Sequence, residues 1–314
     1  FKMKKIIFFL LLSCIVLTNF AQTAKPVVKS TKPKLIVGIV IDQMRYDYIY
    51  RYWDKYGNDG FKKLVNEGFF CKNTNYNYVP TYTGPGHASI YTGTTPAVHG
   101  IVANDWYDAT KLRNVYCVED KKVTGVGTTS MSGKNSPVNM LTTTITDELR
   151  ISSNMKSKVI GIALKDRSSI LPAGHAASAA YWYDGSIGCF ITSSYYMTEL
   201  PKWVQEFNKK ELPKKYLNEP WNTLLPIEKY TESLSDDNKY ETLFKGETKP
   251  VFPHDIPKLV AANGGFGMIR TLPSGNTLTK DFAIETIKGE NLGKSGATDF
   301  LAISFSTPDY IGHN

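Results

Sequence analysis

Three apolar runs constrain this chain most: "KLIVGIVID" (Lys34–Asp42), "KSKVIGIALKDR" (residues 156–167) and "ATDFLAISFSTPD" (residues 297–309). An almost unbroken run of this kind reads as a strand buried on both faces, as in a parallel sheet covered by helices. After the first run, "RYDYIYRYWDKYG" reads as a helix stopped by Gly57, and "GFKKLVNEGF" as a second, shorter one. Strands alternating with helices predict an α/β, doubly wound fold: a mostly parallel sheet with helices on both faces. Ligands of such sheets gather beyond the carboxyl ends of the strands. Asp42, Lys165, Arg167 and Asp309 all stand at or just past such an end. Their convergence from separate strands is the first pointer to a functional site.

The amino-terminal segment has another character. From Met3, Lys4-Lys5 precede an apolar stretch, Ile6 to Leu17, that reads as a secretory signal and is short for a membrane span. Cleavage is expected after Ala21, so residues 1–21 are a signal peptide and residues 22–33, "QTAKPVVKSTKP", an exposed linker. The competing readings of this segment are a membrane anchor and a lipid-bearing Cys14. The expected compartment is periplasmic or secreted, with no stable membrane span after cleavage.

Loss of Lys2, Lys4 and Lys5 takes the net charge from +8 to +5. That mild excess suits anionic small molecules, and without a dense basic stripe it excludes nucleic acid as the expected partner. The pairs Lys209–Lys210 and Lys214–Lys215 read as solvated faces. Cys71, Cys117 and Cys189 lie beyond the signal, and the absence of any CxxC spacing excludes zinc ribbons and thioredoxin-type sites. The sequence leaves disulfide pairing and oligomeric state open. Residues 199–255, rich in Lys, Glu, Pro, Trp and Tyr, read as an insertion decorating the sheet, with His254 exposed on it.

The stretch "YVPTYTGPGHASIYTG" (Tyr78–Gly93) ends a β-prone run on a threonine, turns over Gly-Pro-Gly and starts a helix that stops at Gly93. Thr83 then stands at the helix N-cap. It either caps the helix or does chemistry on an anion held by the free amides and the helix dipole. Asp42 either caps the following helix or ligates a metal. Asp309 and His313, four apart, can face one ion. A threonine hydroxyl needs activation to attack, and a bound Zn²⁺ supplies it by favouring the alkoxide.

Taken together, "DQMR", "PTYTGPGH", "HGIVANDWY", "LKDRSSILPAGH" and "STPDYIGHN" resemble the zinc-dependent alkaline phosphatase superfamily. The branch is the one joining nucleotide pyrophosphatase/phosphodiesterases to the bacterial phosphate-irrepressible alkaline phosphatases. The resemblance covers nearly all of residues 34–314. It implies Thr83 as nucleophile, with Thr81 a bystander, and two Zn²⁺ per full-length chain. Asp42 and Thr83 would hold the activating zinc, and Asp309 and His313 the other. Asn104 would donate to a phosphoryl oxygen, and Lys165 and Arg167 form the Lys-x-Arg pair of the monoesterases. His87, His99 and His175 match no ligand of the family and are expected to make structural hydrogen bonds.

The implied activity is hydrolysis of phosphate monoesters through a phosphothreonine. The alternatives are a phosphodiesterase or nucleotide pyrophosphatase with the same nucleophile, and a non-catalytic phosphate-binding relative. No C/S-x-P-x-R motif supports a sulfatase. The family's later Asp-His pair and late His have no counterpart before Asn314, so the expectation is an N-terminal part of the catalytic domain, inactive alone.

Overall fold

Eight strands form among residues 32–313, the part of the chain that the computed structural model describes; the expected signal peptide lies outside the described residues. They are β1 (Leu35–Ile41), β2 (Asp105–Asp108), β3 (Arg113–Tyr116), β4 (Gly125–Val126), β5 (Val159–Ala163), β6 (Ala179–Asp184), β7 (Cys189–Ser193) and β8 (Asp299–Phe305). The main sheet runs β1-β8-β5-β6-β7-β4. Its first four strands are parallel, and β7 and β4 join antiparallel. The strands β2 and β3 pair as a separate antiparallel ribbon.

The period of two along each strand divides the core between the two faces. Ile160, Ile162, Tyr181, Tyr183, Leu301 and Ile303 pack on one face with Leu278 and Phe282 of the helix Pro273–Gly289. Ala180 and Trp182 face the other way, against Ile170 and Leu171 of helix Asp166–Ala173 and Ala88 of helix Thr83–Thr92. Val159, Phe300 and Ala302 extend that second face to Tyr91. The α/β sheet with helices on both faces is therefore the fold that forms.

Several local expectations change. In β1, Ile36, Val37 and Ile39 are 37, 43 and 57% exposed, so this strand is not buried on both faces. It is the end strand of the described sheet and pairs only with β8. The tyrosine-rich segment after it breaks into a helical turn, Tyr48–Arg51, and a 3₁₀ turn, Trp53–Lys55. Within residues 199–255, helix Lys202–Lys209 sends Val204 and Phe207 into the core, and Leu217 follows. His254 is buried rather than exposed: its backbone pairs with that of Trp221, and Trp221, Phe244 and Phe252 surround its ring. Its Nδ1 lies 2.7 Å from Glu247 Oε1. Cys71, Cys117 and Cys189 are all free thiols.

Phe282 stacks on Phe190 with ring centroids 3.8 Å apart and is fully buried. Phe282→Ala should lower stability by about 3–5 kcal/mol, the usual cost of losing a buried aromatic side chain. Ile284→Ala, two residues on and 42% exposed, should cost far less. Urea unfolding of the two variants provides the comparison.

Candidate active site

The adjacent parallel strands β1, β8 and β5 end on the same edge, and that edge assembles the site. Asp42 directly follows β1, with its amide bonded to Phe305 O at 3.0 Å, so the sheet pairing holds its backbone. Asp309 sits in the first turn of helix Thr307–Gly312, just beyond β8. Lys165 is the extended residue that joins β5 to helix Asp166–Ala173.

The Lys165 side chain turns inward and is 2% exposed. Its ammonium donates to Asp42 Oδ2 at 2.7 Å, to Asp309 Oδ2, and to Thr83 Oγ1 at 3.3 Å. The Thr83 hydroxyl in turn donates to Asp42 Oδ2 at 3.2 Å. One cation thus meets two carboxylates and one hydroxyl in a buried space, where charge interactions are stronger than in water.

Thr83 is the first residue of its helix, one position inside the expected N-cap, and Tyr82 takes the cap. The helix closes on Gly93 in the left-handed conformation, φ 67°, a position that favours glycine. Thr83 is 8% exposed, whereas Thr81 is exposed, which separates the two threonines. His87 Nδ1 donates to Thr83 O at 2.8 Å, and its Nε2 lies 2.8 Å from Ser304 Oγ. Burial lowers the His87 pKa, so this imidazole stays neutral and ties the helix to β8. His99 and His175 likewise hold hydrogen bonds within the fold.

The helix amides after Thr83 do not remain free for an anion. Gly84 N–H donates to Asn104 Oδ1 at 2.8 Å, Pro85 has no N–H, and Gly86 N–H donates to Tyr82 O at 2.9 Å. A Cβ on Gly84 would meet Asn104 Oδ1 at 3.2 Å and Cys117 Sγ at 3.3 Å, so glycine permits this approach. Asn104 accepts through Oδ1, so its Nδ2 group keeps its two N–H donors.

Arg167 follows Lys165 by two but takes a different direction. Both are buried or nearly so, rather than paired on the surface, and the chain between them is the start of a helix. Arg167 Nη1 donates to Tyr116 Oη at 3.1 Å, and Tyr116 donates to Asp166 Oδ1. Tyr116 on β3 carries no motif that the sequence could flag. A cavity of about 360 Å³ opens beside Thr83, lined among others by Asp42, Gln43, Arg45, Tyr76 and Ile90. Burial pushes the Tyr76 pKa up to about 12.

His313 lies at the end of the last helix, largely exposed, with Nε2 3.5 Å from Asp309 Oδ1. Two carboxylates, a hydroxyl and an imidazole are donors that suit zinc. The two carboxylates outweigh the single Lys165 charge, so the cluster also has the sign to accept a further cation. Among the described residues no group of three or more His, Cys, Asp or Glu stands close enough to hold a metal. Ligand type therefore fits, and ligand number alone does not complete a site.

The type I phosphodiesterase / nucleotide pyrophosphatase family model matches residues 36–314. The alkaline phosphatase PhoV of Synechococcus elongatus is 53% identical over 282 residues, covering 90% of this chain and 51% of that protein. A Myroides odoratus protein named a calcium-transporting ATPase is 54% identical over 287 residues, covering 91% and 52%. The alkaline phosphatase PafA of Elizabethkingia meningoseptica is 50% identical over 285 residues, covering 90% and 52%. The crystal structure of PafA superposes with a TM-score of 0.88 over 90% of this chain and 55% of that one. The chain belongs to the type I phosphodiesterase / nucleotide pyrophosphatase family, within the alkaline phosphatase superfamily. It spans about half the length of the curated relatives it matches. The superfamily implies a metal cofactor.

Removing the Lys165 charge leaves two buried carboxylates without their cation. Lys165→Met should destabilise the chain by about 3–5 kcal/mol, the usual result of breaking a buried ion pair from one side. Lys209→Met, whose pair with Glu206 is exposed, should leave the unfolding midpoint unchanged. Chemical denaturation of both variants in metal-free buffer measures the difference.

Proposed function

We propose that the whole protein is an exported alkaline phosphatase that hydrolyses phosphate monoesters through a phosphothreonine on Thr83, at a site holding two Zn²⁺. The observation that carries this reading is the buried Thr83 hydroxyl, bonded at once to Asp42 and Lys165. The relatives named alkaline phosphatases support it.

Asp42 accepts the Thr83 proton in a hydrogen bond and orients the oxygen. Lys165 donates to that same oxygen and offsets charge as it develops. Because the Gly84 and Gly86 amides are engaged and Pro85 has none, the non-bridging oxygens rely on side chains: Asn104 Nδ2, Lys165 and Arg167. Bound zinc at Asp42 and Thr83, and at Asp309 and His313, would supply Lewis acidity for the attacking and leaving oxygens. Lys165 and Arg167 bias the site toward a monoester dianion, which carries more phosphoryl charge than a diester.

A diesterase reading rests on the family model's own name. It shares the nucleophile and differs in which substrate the two cations favour. Among the described residues no helix is long and apolar enough to cross a membrane, and the exported location rests on the amino-terminal pattern.

Thr83→Ala in the full-length enzyme should lower kcat by more than about 10³-fold, the scale on which loss of a nucleophile acts. It should also abolish labelled phosphate trapped on the protein in acid. Peptide mapping of the wild-type trap should place the label on Thr83. Label on Thr81 instead would overturn the assignment.

A further inference from the structure

Arg167 has its own support, separate from the Lys165 cluster. Its Nη1 donates to Tyr116 Oη at 3.1 Å, while its nearest approach to Asp166 Oδ1 is a longer 4.0 Å. The phenol oxygen is therefore the link between guanidinium and carboxylate. Tyr116 donates its own proton to Asp166 Oδ1. Asp166 is fixed in turn: Oδ1 accepts the Arg167 amide at 2.7 Å, and Oδ2 accepts Asn135 Nδ2 at 2.9 Å. Burial, and then the Asp166 charge, hold the phenol proton well above the usual tyrosine range. The hydroxyl thus keeps both roles, donor to Asp166 and acceptor from Arg167.

The other edge of the guanidinium is in a different state. Arg167 Nε is buried and has no hydrogen-bond partner within the protein. A buried, unpartnered donor on a charged group is costly unless a ligand satisfies it. With Nη1 tied to Tyr116, the Nε–Nη2 edge is the one that can take two oxygens side by side.

We propose that Tyr116, anchored by Asp166, is a positioning residue that holds Arg167 Nη1 and aims the Nε–Nη2 edge at two phosphoryl oxygens, making the site selective for monoesters. This rests on the assignment of Arg167 as a phosphate-binding residue above. Tyr116 acts through Arg167 and does not itself touch the substrate. The carboxylate alone would leave the guanidinium less constrained, because an approach of 4.0 Å is beyond hydrogen-bond distance and fixes no orientation.

The test is a double-mutant cycle in the full-length enzyme with Tyr116→Phe, Arg167→Ala and the double variant. The substrates are an aryl monophosphate and the matching methyl diester, and inorganic phosphate serves as the inhibitor. Tyr116→Phe should lower kcat/KM for the monoester about 5- to 50-fold and weaken phosphate inhibition by a similar factor. Its effect on the diester should stay below about threefold, and it should add nothing once Arg167 is Ala. A loss that is equal on both substrates, or that persists in the Arg167→Ala background, overturns the positioning role.

Failure of the underlying reading looks different: Arg167→Ala itself would then cost the same on both substrates. A monoester-selective Arg167→Ala beside a neutral Tyr116→Phe overturns the Tyr116 inference alone. Should Tyr116→Phe not fold, Asp166→Asn keeps the shape and loosens the phenol's anchor. It should show the same substrate bias at smaller size, and absence of that bias overturns the proposal.

Discussion

The Lys165 ammonium is the interaction on which the site depends. It joins residues separated by more than a hundred positions, Asp42 and Asp309, with Thr83 between them. Neighbouring strands lie about 4.8 Å apart. The ends of β1, β8 and β5 are therefore spaced so that one long side chain from β5 spans both acids. Two carboxylates in that buried space would repel each other strongly without a cation. A short side chain at position 165 could not reach both.

The second face of the sheet supplies the remainder of the site. Helices Thr83–Thr92 and Asp166–Ala173 pack against each other there, and both begin near the strand ends. Each contributes its first residues to the site: Thr83 from one, Asp166 and Arg167 from the other. The ribbon of β2 and β3 adds two supports at once. Asn104, just before β2, takes the Gly84 amide, and Tyr116, at the end of β3, holds Arg167.

That arrangement limits which donors the helix start presents. A helix N-terminus usually offers free amides, but of those that follow Thr83, Gly84 N–H goes to Asn104, Pro85 has none and Gly86 N–H goes to Tyr82 O. In the proposed phosphatase reading, Asn104, Lys165 and Arg167 supply side-chain donors in their place. On the proposed reading, substrate preference lies with Lys165, Arg167 and their supports.

Much of this was legible in the chain. The runs ending in Asp42, Lys165 and "STPD" gave three strands and three site residues, because a buried parallel strand needs an almost unbroken apolar sequence and must stop where polarity begins. The Thr-Gly-Pro-Gly order marked a helix start within one residue. Other features were invisible. Ile36, Val37 and Ile39 look as buried as the residues of β5, yet their exposure depends on the strand's place in the sheet. His254 looks polar and exposed, yet the rings of Trp221, Phe244 and Phe252 enclose it. Lys165 and Arg167 look like a matched pair, yet one turns to the carboxylates and the other to Tyr116. Composition and periodicity are local, so they set the elements and the residues at their ends. Which side chains meet depends on strand order and helix placement, which no local pattern encodes.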